Sequence, residues 1–309
     1  MKSFREIGFI RALERILRSV YLWDTTVSLY HVLSILWKKI VSFDLDQRAA
    51  AVSFSLLLAI FPAIIFLFTL IPYIPINNLD RQIMDFLANI LPKGIYSTAA
   101  NTIQDIISRR RVDVLSFGFL FALYAATNGM MALIRAFNIS LEKNDQRNFW
   151  AGRLVALFLT FLLVLVMVSA IVVLIVGKIF IAYLFAQGIL NENFNYYMIQ
   201  VLRYLSIFII FFLGIGSIYY FGTSSSKRMT FFNFGAMLAS VLCILATNLF
   251  SYYLVNFNSY NRLYGSIGTL IGMMVWIYLI AIILIFGFEI NSSLKDALAL
   301  EHEQEKKPQ

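Results

Sequence analysis

"AAAVSFSLLLAIFPAIIFLFTLIPYIP", residues 49–75, contains no charged side chain. At about 1.5 Å of helical rise per residue, this run is longer than the roughly 30 Å hydrocarbon core of a bilayer. Lipid offers no partner to backbone N–H and C=O groups, so a segment in it must satisfy them itself or close into a barrel. The run lacks the apolar and polar alternation of a barrel strand, and the spacing predicts a membrane-spanning helix.

Five further runs read the same way: about 113–137, 153–186, 199–222, 232–257 and 266–291. The third is longer than a bilayer needs, so it either tilts or projects. The expected fold is therefore all-α, a polytopic membrane protein of six transmembrane helices. Composition agrees: 60% of the 309 residues are hydrophobic and 14% charged, with a mean hydropathy of +0.78. Soluble domains carry about a quarter charged residues. The 29 Phe and 16 Tyr suit a chain facing acyl tails and headgroups.

The net charge of +8 would suggest nucleic acid in a soluble protein, but in a membrane protein its distribution matters more. Lys and Arg concentrate in 1–48, 138–153, 222–231 and 292–309. This asymmetry predicts both termini on the cytoplasmic side of the membrane. Arg109, Arg110 and Arg111 are the exception, since they fall in an outer segment. No cleavable signal peptide is read in the first twenty residues, which are charged throughout.

Three units follow: 1–45 as cytoplasmic or interfacial amphipathic helices, 46–292 as the six-helix domain, and 293–309 as a cytoplasmic tail with a solvated end. Ile10, Leu13, Leu17, Val20 and Tyr21 form one apolar stripe against a basic face, and 25–41 continues in this style, with Trp23 and Trp37 near the interface. Segment 76–112 is too long for a plain connector. Its two apolar stripes, broken by "LPKG" at 91–94, predict a helical hairpin on or in the outer leaflet.

Ionisable side chains within spans are costly and mark functional positions. Arg48 opens the first span, Arg135 lies near the inner end of the second, and Glu289 lies at a similar depth in the sixth. The three are expected to form a cytoplasmic cluster that binds an anionic headgroup, with Glu289 orienting an arginine. The alternative is that the arginines snorkel to lipid phosphates and Glu289 forms a structural pair. Tyr124, Thr127 and Asn128 form a polar strip, as do Asn248 and Tyr252. Both are expected to line a cavity, with interhelical hydrogen bonding as the rival reading. Pro62 is a candidate kink. The turn "NFNSYNRLYGSIGT", Asn256 to Thr269, is denser in side-chain donors than a short turn requires. Asn256, Ser259, Tyr260, Asn261 and Tyr264 are its candidate outer gate.

Metals and cofactors find no motif. Cys243 is the only cysteine, His31 and His302 are far apart, and no GxxxxGK[ST] loop is present. No cofactor and no nucleic-acid partner is expected.

Several stretches together resemble the YihY/BrkB family of bacterial inner-membrane proteins. They are "QRAAAVSFSLLLAIFP" (47–62), "YAATNGMMALIRAFN" (124–138), "FW" (149–150) with Arg153, "NFNSYNRLYGSIGTLIGMMVWIYL" (256–279) and "FGFEIN" (286–291). The resemblance covers about residues 40–295, and Ser53-Phe54 departs from it where many relatives carry tyrosines. It implies six spans and an envelope role, since relatives have been tied to lipid movement at the inner membrane. The family has also been labelled a tRNA-processing ribonuclease. The residues speak against that activity, because no carboxylate pair or histidine cluster could hold two metal ions.

The leading expectation is a transporter or flippase-like protein that moves an anionic amphiphile, phospholipid or glycolipid precursor, with membrane lipids as its partners. A second reading is a scaffold that docks an envelope lipid-transport protein through 76–112. A third is a solute or ion carrier, disfavoured because Glu289 is the only acid well inside a run.

Overall fold

Each of the six apolar runs forms the centre of a helix. The computed structural model describes residues 28–42, 44–73, 81, 83–85, 100, 103–104, 112–141, 147–187, 192–223, 229–256 and 266–305. The chain order is α1 Leu29–Ser42, α2 Leu45–Leu70 with a 3-10 turn at Ile71–Tyr73, α3 Val112–Ser140, α4 Phe149–Ala186, α5 Glu192–Gly222, α6 Phe234–Asn256 and α7 Ser266–Glu305. Helices α2 to α7 are the six that are long and apolar enough to cross a membrane. Among the described residues there is no sheet.

Hydroxyls inside the apolar helices bond to their own backbone. Ser55 donates to the Ala51 carbonyl, Thr160 to Ala156, Ser217 to Leu213 and Ser240 to Ala236. This satisfies a polar side chain without a second helix. Pro62 sits buried within α2, and the helix continues past it to Leu70. The long third run is matched by α4, whose 38 residues rise about 57 Å.

Sequence neighbours pack as spatial neighbours, and α7 returns to α2, so the six helices close into a ring. Helix α7 also reaches α3, and α1 lies against α7. The buried core collects at one end, where α2, α4 and α6 begin and α3, α5 and α7 leave the bundle. Val52, Ile134, Phe137, Leu159, Tyr219, Ile285 and Phe288 form it. Phe137 stacks on Phe288 at 4.3 Å, and Tyr219 meets both rings edge-on at 5.4 Å. The Tyr219 hydroxyl donates to the Leu284 carbonyl at 2.6 Å, so the ring's polar end is also satisfied. Away from this basal end, Val168, Val172, Val176 and Phe180 on α4 and Leu245 and Leu249 on α6 are exposed.

The last helix runs on past the expected end of the membrane domain at 292. Helix α7 continues to Glu305 without a break, and Ser292, Ser293 and Ala297 are fully buried. Hydropathy falls after Asn291, but a helical stripe persists: Leu294, Ala297 and Leu298 pack against Val32 and Ile35 of α1. The first 27 residues, most of 76–112 and the interior of the turn after α6 lie outside the described residues. So do the stripe at 10–21, Trp23, the outer hairpin as a whole and Arg109 to Arg111.

One crossing fixes the spacing of α6 and α7. A Cβ at Gly287 would lie 2.7 Å from the Gly235 carbonyl oxygen and 2.7 Å from the Tyr219 hydroxyl. A Cβ at Gly235 would fall on the Gly287 carbonyl. Backbone meets backbone here, as small residues allow in membranes. Gly287→Ala is expected to destabilise the protein by about 1–3 kcal/mol, the usual cost of overpacking. Thermal unfolding of the detergent-solubilised protein should show a midpoint several degrees lower, while Gly177→Ala, which meets nothing within 4 Å, should leave it unchanged.

Candidate functional site

Arg48 enters the bundle one turn into α2. Asp44, with a left-handed φ of 44°, turns the chain sharply between α1 and α2. Aspartate tolerates that conformation better than most residues. The Arg48 side chain is thereby delivered to the floor of the bundle, where it is only 7% exposed. It donates to the Glu289 carboxylate at 2.7 Å, the Ser140 hydroxyl at 2.8 Å and the Ala136 carbonyl at 2.9 Å. Glu289 is fully buried, and its Oε1 also accepts from the Ser140 hydroxyl at 2.5 Å. Its other oxygen, Oε2, has no hydrogen-bond partner among the described residues.

Ser140 joins this pair to a second one. Lys39 of α1 donates to the Ser140 carbonyl at 3.1 Å, to the Ser292 hydroxyl at 2.7 Å and to Asp296 at 2.5 Å. Two cations and two carboxylates thus balance at the basal end and bind α1, α2, α3 and α7 together. Beside them Asn291 holds the start of α6. Its Oδ1 accepts from the Gly235 N–H at 2.8 Å, and its amide donates to Asn233 at 2.6 Å. Asn233 in turn caps α6 by accepting from the Ala236 N–H at 2.7 Å.

Arg135 does not join the cluster. It is exposed on α3, whereas its neighbours Ala136 and Ser140 face the ion pair. Matching depth put three residues at one level, but adjacent positions on a helix differ by about 100° in direction. The expected group of three is thus a pair with one arginine outside it.

The polar strips also divide. Thr127 is buried and its hydroxyl bonds back to the Tyr124 carbonyl at 2.8 Å. Asn128 accepts from Arg153 of α4 at 2.5 Å, and the Arg153 guanidinium lies over the Tyr124 ring at 5.2 Å. Asn248 belongs to a different seam. It lines a groove of about 140 Å³ between α5 and α6 with Tyr204 and Phe211, while its amide donates to the Ile244 carbonyl. Tyr252 is exposed one turn further along. The two strips thus lie on different seams. Asn256 closes α6, and Ser259, Tyr260, Asn261 and Tyr264 lie outside the described residues.

The structure adds residues that hydropathy passes over. Ser140, Lys39 and Asp296 sit where a run ends or outside any run, so depth alone gave no signal. Arg147 donates to the carbonyls of Phe221, Gly222 and Thr223, placing a cation at the negative end of α5. An apolar groove of about 300 Å³ opens between α2 and α7, lined by Ala50, Ser53, Phe54 and Leu57 on one side and Met274 and Tyr278 on the other. It begins within one turn of Arg48. Among the described residues no three His, Cys, Asp or Glu are grouped to hold a metal ion.

Comparison with known proteins agrees with this architecture. The chain matches the profile of the family described as virulence factor BrkB over residues 36–309. It is 28% identical over 263 residues to YfkH of Bacillus subtilis (strain 168), a protein whose name calls it ribonuclease-like, covering 85% of this chain and 92% of that one. It is 26% identical over 266 residues to a UPF0761 membrane protein of Xanthomonas campestris pv. campestris (strain B100). A UPF0761 membrane protein of Xanthomonas oryzae pv. oryzae (strain PXO99A) is 25% identical over 265 residues. The chain spans only 59% of the length of these Xanthomonas relatives. No solved structure matches. With six apolar helices closed into a ring and a profile match from residue 36 to the last residue, this chain belongs to the YihY/BrkB family of membrane proteins.

Proposed function

We propose that the protein is a flippase-like transporter that moves an anionic amphiphile, a phospholipid or a glycolipid precursor, along the seam between α2 and α7. One observation carries this reading: the same seam bears an apolar groove on its flank and a buried Arg–Glu pair at its floor. The groove suits an acyl chain, since it is apolar and open at the side. Its volume is at the lower end of the roughly 300–1,000 Å³ usual for ligand clefts.

Both Nη groups of Arg48 are already engaged in this closed arrangement, so they take a phosphate only when the seam parts. A phosphate then replaces Glu289 as the partner of Arg48, as a bidentate acceptor of the guanidinium. Glu289 is the counter-ion that keeps Arg48 oriented while no substrate is present. The charge asymmetry of the chain supports a cytoplasmic position for this floor.

Two experiments test the reading. The full chain, reconstituted in phosphatidylcholine vesicles with a trace of fluorescent phosphatidylglycerol, should speed exchange of the label between leaflets. Ala50→Trp, which fills the groove from an exposed position, should slow exchange at least severalfold without changing the yield of folded protein. Unaltered exchange in Ala50→Trp would sink the groove as the route. Separately, Glu289→Gln should destabilise the fold by about 3–5 kcal/mol, because it strands a buried cation. Arg48→Met combined with Glu289→Met should recover much of that stability while exchange stays lost. Recovery of both would reduce the pair to a structural tie.

A further inference from the structure

The geometry points to a second lipid site, built around Arg153 on the α3/α4 seam, that holds the phosphate of an anionic phospholipid with its tail lying along α3. This inference stands on different residues from the α2/α7 groove and does not need that groove to be a transport route.

Arg153 is the fifth residue of α4 and is half-buried. Its Nη1 donates to Asn128 Oδ1 at 2.5 Å. The guanidinium is held between two rings, 5.2 Å from the centroid of Tyr124 and 5.5 Å from that of Phe149. These contacts fix its position but do not neutralise it. The two ion pairs among the described residues are Lys39–Asp296 and Arg48–Glu289, so Arg153 has no described carboxylate. A guanidinium carries five N–H donors, and one is given to Asn128.

The surroundings say what kind of anion fits. Tyr124 is 56% exposed and Phe149 62%, so both rings reach the lipid-facing surface. From Tyr124, Phe121 and Phe117 continue the same face of α3, each exposed, with Phe117 and Phe121 stacked at 6.3 Å. Seven residues of helix give this track a length of about 10 Å, leading away from the charge along α3. A free phosphate would find the charge but have no use for the track. A phospholipid uses both, the phosphate meeting the free donors of Arg153 and the acyl chain covering the aromatic rings. An arginine that merely snorkels is mobile and solvent-directed, whereas this one is clamped by an amide and two rings.

Native mass spectrometry of the full chain in mild detergent, with added dioleoylphosphatidylglycerol or dioleoylphosphatidylcholine, tests the site. Wild-type protein should retain phosphatidylglycerol over phosphatidylcholine. Arg153→Gln should weaken that retention roughly tenfold, as loss of a charge-assisted contact does. Arg153→Lys, which keeps the charge and guards against a folding defect, should retain an intermediate amount. Arg135→Gln, an exposed arginine on α3, should have little effect. Equal retention of both lipids by the wild type would overturn the proposal, as would an equal loss in Arg135→Gln. Displacement of the lipid by millimolar glycerol phosphate would show a soluble-anion site instead and overturn the lipid assignment. Phe121→Ala should weaken retention severalfold if the tail lies on the track. No change there would overturn that part.

Discussion

The bundle is organised around the burial of one charge pair, Arg48 with Glu289. Neither could stay at the floor of a membrane protein alone, since an unpaired buried charge costs several kcal/mol. Together they need a third group, and Ser140 supplies it by donating to the carboxylate and accepting from the guanidinium. This demand fixes where three helices meet: the first turn of α2, the last residue of α3 and a point about three-fifths along α7. The ring closure of the six spans follows from it, because α7 must return to α2 for the pair to form.

The solvent explains why packing is dense there and loose elsewhere. In water, Val172 and Leu249 would be driven inward; in lipid, an exposed apolar side chain loses nothing, and helices associate through close backbone contact and hydrogen bonds. Both devices are found at the basal end. Gly235 and Gly287 bring α6 and α7 into backbone contact, and Asn291 and Asn233 tie the start of α6 to α7. The stretch "FGFEIN" thereby does several jobs within six residues. Gly287 permits the crossing, Phe288 enters the aromatic core, Glu289 pairs with Arg48, and Asn291 holds α6.

The number of spans was legible because hydropathy and length are properties of each run alone. Depth was legible too, since alternating helix direction assigns a level to every residue; Arg48 and Glu289 share one and meet. Direction around the helix was not. Arg135 is at a suitable depth but turns outward, because which side of α3 faces α2 depends on contacts between remote helices. The same gap hid Arg153. It lies within the first turns of α4 beside "FW", but its partner Asn128 is on another helix, and nothing in the spacing links them. The continuation of α7 was masked for another reason. Its stripe of Leu294, Ala297 and Leu298 is too short to register as hydropathy, and it becomes apolar surface only when α1 covers it.

The pair at the floor also sets what an opening of the α2/α7 seam would require. Separating Arg48 from Glu289 exposes two charges that were desolvated, so the open state is disfavoured unless something replaces each partner. A ligand shifts such an equilibrium only through its differential affinity for the two states. A neutral amphiphile could fill the groove and still leave Arg48 bound to Glu289, gaining nothing from opening. An anionic one can take over the guanidinium, so its headgroup charge, more than its tail, would decide whether the seam parts. The carboxylate left behind then needs a new cationic partner, and its Oε2, already without a hydrogen-bond partner among the described residues in the closed state, is the oxygen placed to meet it. Under the proposed transport reading, opening by an anion would thus be coupled to uptake of a positive charge at Glu289, and selectivity for anionic headgroups and driving force would be two aspects of one ion pair.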